Sequence, residues 1–100
     1  MSATPDEASF IAALDRVTAA RPGLDPLAAG LLAALDLGLP GDSRAFASTF
    51  GVEHALVLRA VETLAGDAGL LALQDSNPRT QRTRYAASAA GDAVLAHLHG

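Results

Sequence analysis

The sequence has no cysteine and no tryptophan, and every basic residue in it is arginine. Without cysteine there is no disulfide framework, no thiolate zinc site and no thiol nucleophile. Aromatic residues are 4% of the chain, and β-branched residues are also scarce. That shortage favours helices over a large sheet. No unbroken apolar run is longer than that of Leu31 to Leu35, far short of the roughly 20 residues a membrane span needs. Asp6 and Glu7 stand where a secretory leader would carry basic residues ahead of an apolar run, so no signal peptide is read. These absences fit a cytoplasmic protein. A chain of 100 residues holds one core, not two.

What is present is an uneven charge. Residues 1–43 hold two Arg against six acids, a balance of −4. Residues 44–100 hold five Arg against five acids. The acidity therefore belongs to the N-terminal half, and the one local basic cluster is Arg79, Arg82 and Arg84. A protein that coats nucleic acid by charge alone is far more basic than this. Contact with DNA, if made, has to be local and doubled by a two-fold axis.

Helix signals run through most of the chain. Thr4-Pro5-Asp6-Glu7 reads as a capping box, followed by Phe10, Ile11, Leu14 and Val17 at helical spacing. Arg21-Pro22-Gly23 stops that helix. Asp25-Pro26 opens a second, with Leu27, Leu31 and Leu35 stacked and Leu24, Ala28 and Leu32 beside them. Gly38, Pro40 and Gly41 end it. Ser43 is expected to cap a short third helix that turns Phe46 and Ala47 inward and breaks at Gly51. A fourth runs from about Val52 to Leu64, and residues 65–69 form a loop.

Leu70 to Gln74 reads as a strand, Asp75-Ser76-Asn77-Pro78 as a turn, and Gln81 to Ala86 as the returning strand. On that strand Gln81, Thr83 and Tyr85 share one face, with Arg82 and Arg84 on the other. Ser88 then caps a last helix with Val94, Leu95 and Leu98 on one side. The class is mainly α with a small β-hairpin.

This order resembles the winged helix-turn-helix domains of MarR-type transcription regulators, over roughly Asp25 to Leu98. Three segments carry the resemblance: Phe46-Ala47-Ser48-Thr49-Phe50-Gly51-Val52; Val57, Arg59, Val61 and Leu64 followed by Gly69-Leu70-Leu71; and Tyr85-Ala86-Ala87-Ser88-Ala89-Ala90-Gly91. In the last, Ala87 and Ser88 stand where leucine and threonine are usual. The resemblance implies a winged helix-turn-helix domain over residues 24–100, flanked by residues 1–23. It implies double-stranded DNA as partner, a recognition helix at about residues 53–64 in the major groove, and an Arg-bearing wing at about residues 74–86 on the backbone or minor groove. It also implies a homodimer made by the first helix; the alternative is that this helix only covers the core.

On a helical wheel Val57, Val61 and Leu64 point inward, Ala55, Arg59 and Glu62 outward, and Leu56 and Leu58 fall on the flanks. Arg44, Arg59, Arg79, Arg82 and Arg84 are the candidate DNA contacts. For Arg59 the competing reading is an ion pair with Glu62, and for the hairpin arginines a solvated turn. Leu56 and Leu58 support a different function, a winged helix that binds protein instead of DNA. His97 and His99, two apart on a helix, point away from each other and do not chelate together; His54 reads as a capping or surface residue. No metal and no cofactor is expected. No Ser-His-acid arrangement, Gly-rich phosphate loop or paired carboxylates appears, so the chain is not read as an enzyme.

Overall fold

The computed structural model describes residues 7–98. The Thr4-Pro5 cap and His99 lie outside the described residues. The chain is mainly helical with a small two-stranded antiparallel sheet. Its elements are α1 (Glu7–Ala20), α2 (Pro26–Asp36), α3 (Ser43–Phe50), α4 (His54–Ala65), β1 (Leu71–Ser76), β2 (Thr83–Ala87) and α5 (Ala89–His97). Among the described residues no helix is long and apolar enough to cross a membrane.

The centre of the molecule is α2. Pro26 opens it, and the Asp25 side chain accepts a hydrogen bond from the Leu27 amide, as the cap-then-proline signal predicts. Every residue from Ala28 to Ala34 is buried, so the helix has no solvent face over nearly two turns. Helix α1 covers one side, and α4, α5 and β2 close the others. Leu31 and Leu32 are completely buried, and such burial contributes about 1.5–3 kcal/mol per side chain.

Helix α1 turns Ala13 and Val17 fully inward, with Phe10 and Leu14 partly buried beside them. Ile11, expected on the same stripe, is 48% exposed. Phe10 meets Phe50 with ring centroids 4.6 Å apart, and Phe50 meets Phe46 at 4.5 Å. These tilted pairs join α1 to α3 within the range where aromatic rings attract. The first helix thus does cover the core.

The cap of α3 is Asp42, one residue before the Ser43 expected from sequence. The Asp42 carboxylate accepts from the Arg44 and Ala45 amides at 2.9 and 3.0 Å. Two good capping residues stand side by side, and the longer carboxylate takes the amides. Ser43 becomes the first helical residue and is fully buried. Gly51 ends α3 in the left-handed conformation (φ 64°), which costs glycine nothing because it has no Cβ. Helix α4 follows two residues later, burying Val57, Ala60, Val61 and Leu64.

Strands β1 and β2 pair Leu71 with Ala87 through Ser76 with Thr83, and the register shifts between Leu73 and Asp75, a bulge at Gln74. Asp75 and Ser76, expected in the turn, extend the strand because Arg84 and Thr83 supply ladder partners. Asn77 closes the loop instead. Its backbone N–H donates to the Arg82 carbonyl, and its side-chain oxygen accepts from the Arg79 and Thr80 amides. Ser88 caps α5 by accepting from the Gly91 amide, and its hydroxyl donates to the Gly69 carbonyl at 2.6 Å.

Candidate nucleic-acid interface

Helices α3 and α4 and the hairpin meet at one buried hydroxyl. The Thr83 amide donates to Ser43 Oγ at 2.9 Å, and Ser43 Oγ lies 2.8 Å from His54 Nε2. One side chain thus joins the start of α3, the start of α4 and the start of β2. The His54 pKa is lowered, first by partial burial and then by the neighbouring Arg44 cation; Asp42 opposes this and Arg82 adds to it.

Two further bonds fix the hairpin to α3. The Arg44 guanidinium donates to the Thr80 carbonyl at 2.8 Å. Arg82 pairs with Asp42 at 3.4 Å. Both residues were expected to reach outward for DNA, and both are engaged within the fold. Arg82 keeps its side chain about half exposed (49%), so this pair is a weak electrostatic tie, not a buried one. Arg44, Arg82, Asn77 and Thr80 line a recess of about 270 Å³.

Arg79 sits in the hairpin loop, and Arg84 lies on the exposed face of β2. Among the described residues no acid pairs with either, nor with Arg59 on the exposed face of α4. The expected Arg59–Glu62 alternative is therefore not formed. The candidate contact arginines fall in two places: Arg44, Arg79, Arg82 and Arg84 around the hairpin and α3, and Arg59 alone on α4.

Between α4 and the hairpin runs an open cleft of about 840 Å³. Leu58, Arg59 and Glu62 line it from α4, and Leu73, Asp75 and Asn77 from the hairpin. One cation against two carboxylates makes the cleft locally acidic. On the other side of α4 a smaller groove of about 490 Å³ is lined by Asp25, Leu27, Leu56 and Ala60. Arg59 borders both. Leu56 and Leu58 therefore face different depressions and do not form one patch.

Asp42, Ser43, His54 and Thr80, which organise this surface, were not among the residues singled out for it. Ser43 alone was read as the cap; Asp42 takes that role, and the use of Ser43 as a tertiary anchor depends on the arrival of β2 forty residues later. Among the described residues no group of three or more His, Cys, Asp or Glu is placed to hold a metal. Neither the family models nor the curated proteins compared with this sequence match it.

Proposed function

We propose that this chain is a winged helix-turn-helix protein of the MarR-like kind, a cytoplasmic, non-enzymatic regulator of transcription that binds double-stranded DNA as a homodimer. In this reading α4 enters the major groove and the hairpin is the wing. The observation that carries it is the combination of two short helices joined at a left-handed glycine with an arginine-bearing hairpin alongside the second. Arg79 and Arg84 contact phosphate or the minor groove, and Arg59 reads a base edge. Arg44 and Arg82 brace the wing and add local positive charge. Ile11, the large apolar residue that α1 leaves exposed, supports pairing through that helix. Two copies double a basic surface that is small in an acidic chain.

The test is a salt titration of binding to a random-sequence duplex pool. Log affinity falls with log salt by about 0.9 per phosphate neutralised. Replacing Arg79 and Arg84 with Ala flattens that slope for every sequence. Replacing Arg59 costs about 1–3 kcal/mol at the preferred site and relaxes discrimination there. Absence of binding at low salt overturns the reading.

One observation favours a second reading, a winged helix that binds protein. Leu56 is 44% and Leu73 55% exposed, and the cleft beside α4 carries Glu62 and Asp75. Loss of a partner on Leu56→Ser or Leu58→Ser, in a protein that ignores DNA, supports this alternative.

A further inference from the structure

We propose that Ser43, His54 and Thr83 form a proton-sensitive latch between α4 and the hairpin, closed while the His54 imidazole is neutral and opened when it is protonated. The inference concerns the fold itself and does not depend on what the protein binds.

The argument begins with the inventory of one hydroxyl. A serine offers one proton and two lone pairs. Ser43 Oγ already accepts from the Thr83 amide. Its own proton is therefore available for His54 Nε2, 2.8 Å away, when that nitrogen carries no hydrogen. Ser43 has no solvent exposure, so this proton has no water to turn to. The closed arrangement satisfies the Thr83 amide, the Ser43 hydroxyl and His54 Nε2.

Protonation removes the acceptor. Nε2 then carries a hydrogen, and both His54 and Thr83 point donors at the same oxygen. The serine proton must rotate away into a buried site, where an unsatisfied polar hydrogen is costly. The imidazolium also sits among cations: Arg44 on α3 and Arg82 just before β2 both oppose it, and Asp42 alone favours it. Of the other charges on elements packed against α4, Asp36 on α2 and Asp75 on β1 add no perturbation, nor does Glu53 at the start of α4. His54 is only partly buried, so the charged ring has a route to solvent. Taking it breaks the bond to Ser43 and frees the first turn of α4 from α3 and the hairpin.

The sign follows. The neutral form is favoured in the folded state, so the latch is fully closed above the ordinary histidine pKa of about 6.5. It opens as pH falls from there through the lower folded value.

The experiment is a proton NMR titration of the full chain from neutral pH down to mild acid, following the His54 ring, the Thr83 amide and the amides of Leu56 and Val57. The expected result is that Thr83 shifts with the His54 midpoint. Leu56 and Val57 should lose hydrogen-exchange protection over the same range. In Ser43→Ala the His54 ring still titrates and Thr83 no longer follows it. Should Ser43→Ala fail to fold, His54→Gln keeps a hydrogen-bonding side chain without a titrating one, and there Thr83 should stay still. A Thr83 amide that ignores the His54 midpoint in the native chain overturns the proposal, as does one that shifts as before in His54→Gln.

Discussion

Asp42 caps α3 and pairs with Arg82, and two substitutions separate the roles. Asp42→Ala removes both. Losing a cap that accepts two amide bonds, at 2.9 and 3.0 Å, costs about 1 kcal/mol. The half-exposed partner at 3.4 Å adds about 0.5 kcal/mol at most. The sum, about 1.5 kcal/mol, should lower the thermal midpoint by roughly 6–12 °C in a domain of this size. Asp42→Asn keeps an equally good cap and loses only the charge, so it should cost no more than about 0.5 kcal/mol. Thermal and urea unfolding followed by circular dichroism measure both. If Asp42→Asn falls as far as Asp42→Ala, the carboxylate charge and not the cap geometry holds this corner, and the reasoning fails. The same variant bears on binding. With Arg82 released from its partner, the DNA salt slope should steepen by about 0.9 for one more phosphate contact.

Tyr85 is the single tyrosine of a chain without tryptophan, so its titration is readable by ultraviolet absorbance. Burial, reinforced by the Asp42 charge, pushes it up to about 12. Because the folded value exceeds the unfolded value of about 10, its contribution is intact below pH 10 and is lost as pH rises through 12; a midpoint near 10 in the folded protein contradicts this. Gly41→Ala should be severely destabilising, since its Cβ would be driven into the Tyr85 carbonyl, whereas Gly23→Ala, with open space around it, should be close to neutral in the same urea assay. Leu64→Ala, at a fully buried position of α4, should cost about 2–5 kcal/mol, and a loss under about 1 kcal/mol would mean that the site collapses around the smaller residue.

Most of the architecture was legible because local signals and burial agreed. Asp25-Pro26, Gly51 and Ser88 act where their chemistry says they should, and Val57, Val61 and Leu64 all point inward, joined by Ala60. The hairpin was visible through the alternation at Thr83 to Ala86, but the returning strand begins two residues later than expected, because Gln81 turns through a left-handed conformation (φ 61°). Three features were not drawn from the sequence. The stacked leucines marked one face of α2, whereas Ala28 to Ala34 contains no polar side chain at all and so has no face to turn to water. The Asp42–Ser43 division needed β2 in place. The engagement of Arg44 and Arg82 needed the Thr80 carbonyl and the Asp42 carboxylate, both brought near by the hairpin loop. Exposed arginines carry no local mark that distinguishes a brace from a contact.

The all-round burial of α2 has a consequence during synthesis. When residues up to Asp36 have left the ribosome, the chain has made a helix with no polar face and only α1 to shield it. The cover supplied by α4, β2 and α5 lies 18 to 61 residues further along and arrives last. Until then the nascent segment resembles a chaperone substrate more than a folding unit. The native burial of α2 is therefore complete only once α5 has been made.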